Sequence, residues 1–293
     1  MMRNKLYVVI LLLTALCFQV NAQSQVRQSL SFYSSVLRDS VAYSVYLPDG
    51  YQQSHRDYPV VYLLHGMWGS EKDWIQYGLV QQITDEGMDA RQWSPMIIVM
   101  PDAGNCYYVN DHKGEYRYEE MFFSELIPKL EDRYRISGRE EMRAICGLSM
   151  GGYGSMLYAM KHSSMFSACA ALSPAIRTDQ NLVEMGEEKY LSFFQPVFGG
   201  GDHGTDRITD HWKRNNLHHL SIEIPADTLR TVAWYLDIGD DDFLYDGVER
   251  FHILWRDLGL EHQYRVRDGA HTWEYWRTGL PGCLDFINKQ FRR

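Results

Sequence analysis

Little in this chain of 293 residues invites a metal ion, a nucleotide or a nucleic acid. Its five cysteines, Cys17, Cys106, Cys146, Cys169 and Cys283, nowhere fall at the spacing of a zinc or redox site. Cys146 and Cys169 lie in apolar runs and read as small buried hydrophobes. A disulfide among Cys106, Cys146, Cys169 and Cys283 stays open, and the sequence assigns none. Basic charge is also scarce: 29 Lys and Arg stand against 38 Asp and Glu, a net charge of −9. That balance argues against nucleic acid or an anionic membrane surface as partner. There is no Walker loop and no His-Glu-x-x-His, and Asp240-Asp241-Asp242 lacks the alternation of a calcium loop. Gly199-Gly200-Gly201-Asp202-His203-Gly204 fits G-x-G-x-x-G, but no strand–glycine–helix unit surrounds it. No cofactor and no metal are expected. Pro- or Ser-rich linkers, repeats and low-complexity tracts are missing too, which favours one domain over residues 23–293.

What is present begins with Arg3 and Lys5, an almost wholly apolar run over residues 6–18, and Val20-Asn21-Ala22. This pattern reads as a secretory signal peptide over residues 1–22, cleaved after Ala22. The apolar run is short of the ~20 residues that a spanning helix needs. Leu16 before Cys17 does not suit a lipoprotein signal. The mature protein is therefore expected to be periplasmic or secreted, with no integral membrane span. Cleavage would leave 27 basic against 38 acidic residues.

Along the rest of the chain, short apolar runs alternate with runs of helical period. Residues 29–37 and 41–47 read as an antiparallel hairpin turning at 38–40. Strands are expected at 59–64, 95–100, 143–146, 168–172, 231–238 and 263–266. Helices are expected at 73–84, 118–134, 151–160, 247–258 and 280–291. Such alternation implies an α/β protein with a mostly parallel central sheet, helices on both faces and the N-terminal antiparallel hairpin at one side. Residues 176–229 are less regular and read as a cap insertion over the site.

Gly147-Leu148-Ser149-Met150-Gly151 is the most informative segment. It joins a short apolar strand to a Gly-rich helix start, the setting of a nucleophile elbow. A serine hydroxyl needs a histidine to take its proton, and the histidine needs a carboxylate to fix its tautomer. Both partners occur in the chain order of an α/β-hydrolase, each in a loop after a strand. His271 follows the strand at 263–266, and three aspartates, Asp240 to Asp242, follow the strand at 231–238. An oxyanion hole needs two backbone N–H groups. Met150, after the serine, is one candidate; Met67, in the loop His65-Gly66-Met67-Trp68-Gly69, is the other. His65 precedes that turn and reads as structural. Trp68, Trp74, Tyr107, Tyr108, Trp273 and Trp276 cluster on these loops, and the first five are the candidates for stacking on a sugar or aryl group.

These segments together resemble the putative-esterase branch of the α/β-hydrolases, over roughly residues 28–291. The resemblance is carried by Tyr62-Leu63-Leu64-His65-Gly66-Met67, Asp73-Trp74, Met100-Pro101-Asp102-Ala103-Gly104-Asn105, and Tyr118-Glu119-Glu120. It continues in Glu125-Leu126-Ile127-Pro128, the elbow, Gly239-Asp240-Asp241-Asp242-Phe243-Leu244 and Gly269-Ala270-His271. That branch includes feruloyl and acetyl-xylan esterases, S-formylglutathione hydrolases and mycolyltransferases. The resemblance implies the α/β-hydrolase fold, with Ser149 as nucleophile, His271 as base, Met67 and Met150 at the oxyanion positions and Asp242 as acid, Asp241 in reserve. The implied activity is that of a serine carboxylesterase acting on a small-molecule or polysaccharide ester, with feruloyl or acetyl groups on carbohydrate foremost. An acyltransferase to a sugar hydroxyl and a catalytically silent glycan-binding module are the alternatives. The leader and the His65-Gly66 form point away from the S-formylglutathione hydrolases.

Overall fold

The computed structural model describes residues 23–291, so the expected signal peptide lies outside the described residues. Eight strands form one sheet: β1 (Gln25–Ser34), β2 (Asp39–Leu47), β3 (Val60–Leu64), β4 (Ile97–Pro101), β5 (Arg143–Leu148), β6 (Ala168–Leu172), β7 (Ala233–Gly239) and β8 (Gln263–Arg267). Their order across the sheet is β1-β2-β4-β3-β5-β6-β7-β8. β1 and β2 pair antiparallel, β2 meets β4 antiparallel, and every pairing from β4 to β8 is parallel. The continuous apolar runs of β3 to β6 follow from this, because a parallel strand covered on both faces has no solvent side.

Alternate residues of each strand feed two cores. Val60, Tyr62 and Leu64 face one, with Ile145, Cys169 and Ala171. Val61 and Leu63 face the other, with Ala144, Cys146 and Ala170. On the first face lie α2 (Met150–Lys161), α3 (Tyr245–Asp257), a helix through residues 118–133 and the segment 176–229. On the second lie α1 (Val80–Asp89) and α4 (Trp273–Gln290). The architecture is that of an α/β-hydrolase.

Several boundaries differ from the sequence reading. The helix expected over 73–84 is two pieces, Asp73–Gln76 and α1, because Leu79 between them is left-handed at φ 52°. The 118–133 helix widens into one π-helical turn at Phe122–Leu126. The last helix starts at Trp273 rather than at 280: Pro281 sits inside it instead of opening it. The hairpin turns at 35–38, where Glu125 accepts the Ser35 N–H at 2.9 Å and the Ser34 hydroxyl. Segment 176–229, between β6 and β7, holds short helices that bury Leu182, Tyr190, Phe194, Phe198 and Trp212. Gly199 and Gly200 end one of these helices, Gln195–Phe198, so the G-x-G-x-x-G match has no strand before it. Among the described residues all four cysteines are free, and no helix is long and apolar enough to cross a membrane.

Candidate active site

Ser149 stands between β5 and α2 with φ 54° and ψ −117°, a conformation that L-residues seldom adopt. Backbone bonds hold it there. Its N–H donates to Leu172 O at 2.9 Å, and its carbonyl accepts from Tyr153 and Ala175, each at 3.0 Å. The flanking glycines let the chain turn this tightly. A Cβ on Gly147 would lie 2.4 Å from Gly151 O, and one on Gly151 would lie 2.5 Å from His65 O and 2.6 Å from Leu64 O. The turn leaves the serine hydroxyl facing a cleft of about 730 Å³ at the C-terminal ends of the parallel strands.

His271 and Asp242 reach that hydroxyl from the two neighbouring loops. His271 Nε2 lies 2.9 Å from Ser149 Oγ, and its Nδ1 lies 2.8 and 3.0 Å from the two oxygens of Asp242. Asp242 is buried and also accepts the Leu244 N–H at 2.9 Å. An ionised carboxylate only accepts, so Nδ1 carries the imidazole proton and Nε2 is free to accept from the serine. The imidazole is packed between Trp276, edge-on at 4.8 Å, and Phe243 at 4.6 Å. Asp241 and Asp240 are exposed and fasten the two loops instead. Asp241 N–H donates to Gly269 O at 3.1 Å, and Asp240 Oδ1 accepts the Gly269 N–H at 2.9 Å. Below them the buried Asp237 takes the guanidinium of Arg267 at 2.9–3.0 Å and the hydroxyl of Tyr275 at 2.5 Å.

Met67 and Met150 both line the cleft beside Ser149. Met150 opens α2, where the first N–H groups have no intrahelical acceptor. In the 66–69 turn the N–H of Trp68 goes to Asn105 Oδ1 at 2.7 Å and that of Gly69 to Gly66 O at 3.1 Å. His65 is a strut under this turn. Its Nε2 accepts the Ala103 N–H at 2.9 Å while Nδ1 donates to Gly66 O at 2.7 Å. With Nε2 accepting, the imidazole is neutral, and Asp102 at 3.4 Å has no proton to share with it.

Of the five aromatic candidates, Trp68, Tyr107 and Trp273 line the cleft; Trp74 and Tyr108 do not. Trp74 is 1 % exposed, and its Nε1–H donates to Leu64 O at 3.0 Å. Tyr108 is fully buried, and its hydroxyl donates to His65 O at 2.9 Å. Both are committed to carbonyls at the end of β3, and Gly151 packs closely on those same carbonyls. Trp68, 74 % exposed, meets Phe193 edge-on across the cleft mouth. The cleft also takes Arg177, Glu188, Lys189, Phe193 and Phe194 from segment 176–229, none of which sequence reasoning singled out. Phe243, 70 % exposed and adjacent to Asp242, is a missed wall residue with a local signal.

A second groove, about 630 Å³, shares no residue with this cleft. Its Glu119 is saturated by Lys161 at 2.8 Å and His162 at 3.0 Å. Cys106 is half-buried, and desolvation pushes its thiol up to about 12, so it offers no thiolate to compete with Ser149. Among the described residues no group of His, Cys, Asp and Glu could hold a metal ion.

Comparison with known proteins places the chain in an esterase family. A family model described as "Putative esterase" matches residues 34–287. An esterase of Mycobacterium tuberculosis is 34% identical over 277 residues, covering 86% of this chain; the chain spans only 58% of that relative's length. An acetyl esterase of Caldicellulosiruptor saccharolyticus is 24% identical over 273 residues, covering 89% of this chain and 97% of the relative. A solved structure titled ferulic acid esterase superposes with a TM-score of 0.79 at 36% identity, over 92% of this chain and all of that one.

Proposed function

The chain belongs to the putative-esterase family; from that premise we propose that it is a carboxylic-ester hydrolase working through a Ser149–His271–Asp242 triad. The observation that carries this reading is the unbroken row of hydrogen bonds from Ser149 Oγ through His271 to Asp242 at the floor of one cleft. Ser149 attacks the ester carbonyl while His271 Nε2 takes its proton. Asp242 holds the imidazole in the tautomer that can do so. The N–H groups of Met67 and Met150 stabilise the oxyanion, and His271 returns the proton to the leaving alcohol. Water, deprotonated by the same imidazole, then releases the acid.

The substrate we infer is a feruloyl or acetyl ester on carbohydrate. Its support is the aromatic lining from Trp68, Tyr107 and Trp273, suited to an aryl or sugar face, and the names of the relatives. Export is proposed from the leader-like residues 1–22, with Gln23 as the first residue of the recovered protein.

Ser149→Ala is expected to lower kcat on a chromogenic ester by ~10⁶. A fluorophosphonate should label the wild type at one site per chain and leave the variant unlabelled. Near-normal turnover by Ser149→Ala would falsify the assignment. An acetyl-to-feruloyl ester series would then rank the acyl groups.

A further inference from the structure

Arg177 lies in the same cleft as Ser149, on the wall supplied by segment 176–229. Its guanidinium sits over the ring of Phe194 at 5.5 Å, with Tyr107 as its polar neighbour. Its Nε is buried without a hydrogen-bond partner. Among the described residues no carboxylate forms an ion pair with it. Other arginines drawn into this protein have partners for their guanidinium; even Arg135, whose Nε is likewise unpartnered, donates to Tyr51 O. Arg143 pairs with Glu131, Arg267 with Asp237, and Arg207 donates to the carbonyls of Asp202 and Leu182. A desolvated guanidinium with spare donors is costly unless something else fills them.

Its surroundings add a second cation rather than an anion. Lys189 lines the cleft as well, and burial together with the charge of Arg177 holds its ammonium below the usual lysine range. Glu188 is also on the wall, but it is exposed and pairs with neither. The chain carries a net charge of −9, yet this end of its cleft is cationic and short of acceptors.

We propose that Arg177 binds a carboxylate carried by the ester that Ser149 attacks, with Lys189 adding charge at the rim. This assignment rests on the cleft being the esterase site. A guanidinium offers a planar fork that matches a carboxylate at two points, which a neutral acyl chain cannot use. The carboxylate can belong to either half of the ester. On the acyl half it directs the acid portion towards segment 176–229; on the alcohol half it directs the leaving group there.

Two substrate pairs separate these halves. The first is 4-nitrophenyl hydrogen adipate against 4-nitrophenyl hexanoate; the second is 4-acetoxybenzoate against 4-acetoxybenzamide. For each pair the readout is the ratio of kcat/KM, acid over neutral. In one pair the ratio is expected to exceed unity in the wild type and to fall about 10- to 100-fold in Arg177→Met, the range of a charge-assisted hydrogen bond. Arg177→Lys should recover part of it. In the wild type alone, the ratio should also shrink as sodium chloride is raised. Ratios at or below unity in both pairs, or an Arg177→Met ratio equal to the wild type's, would overturn the proposal. A Ser149-dependent enzyme with flat ratios removes Arg177's role alone. Hydrolysis that persists in Ser149→Ala removes the site reading beneath it.

Discussion

Two side chains that never touch the cleft set its geometry. Trp74 Nε1–H and the Tyr108 hydroxyl hold the carbonyls of Leu64 and His65, directly under the turn that carries Met67. Trp74→Phe keeps an aromatic ring but removes the donor and part of the buried bulk. It is expected to cost about 1–3 kcal/mol for the buried carbonyl left unpaired, read as an earlier urea midpoint. Asp242→Asn should lower kcat by roughly 10⁴ with little change in the fold, because the amide no longer enforces the productive tautomer. Parallel circular dichroism and steady-state kinetics would check both halves of that statement. At this scale Ser149 and His271 were legible because each sits in the loop after its own strand, whereas Asp242 was set apart from Asp240 and Asp241 only by the family resemblance. Trp74 and Tyr108 were misassigned because a loop position does not say which way a ring turns. Arg177 was invisible because only the folded chain shows which charges lack partners.

The elements inherit their form from the elbow. α2 is buried along almost its whole length, and Gly151 lets it lie against the end of β3. Gly151→Ala pushes a methyl against two carbonyl oxygens. A loss of at least about 1–3 kcal/mol is expected, with a matching fall in the denaturant midpoint. The strands were readable as apolar runs of five or six residues, since burial on both faces leaves that trace. Helix ends were less so. The break falls at Leu79, a left-handed residue that is not a glycine, and Pro281 runs inside α4 although proline usually opens helices. Segment 176–229 escaped because its helices are too short to show a period.

Across the molecule, the histidines make stability depend on acidity. Burial lowers the proton affinity of His211, His252 and His262, and brings that of His218 down to about 4 from an ordinary 6.5. Each binds its proton more weakly when folded than when unfolded. Stability is therefore full above about 6.5 and declines as pH falls from there towards 4. His218 alone accounts for up to about 3 kcal/mol of that decline. Urea titrations at pH 7.5 and 4.5 should show the lower midpoint at the acid end, with a smaller difference in His218→Gln. The sheet order was readable only in outline, because alternation predicts parallel neighbours without saying which strand lies outermost. Those outer positions carry a last consequence. β1 is interrupted by an irregularity between Arg27 and Leu30, and β8 is five residues long with the exposed Arg265 along it. Both rims thus discourage strand-to-strand stacking of one copy on another, by broken register on one side and positive charge on the other. The eight-stranded sheet thus ends at edges that offer no long, regular, uncharged strand for another to extend.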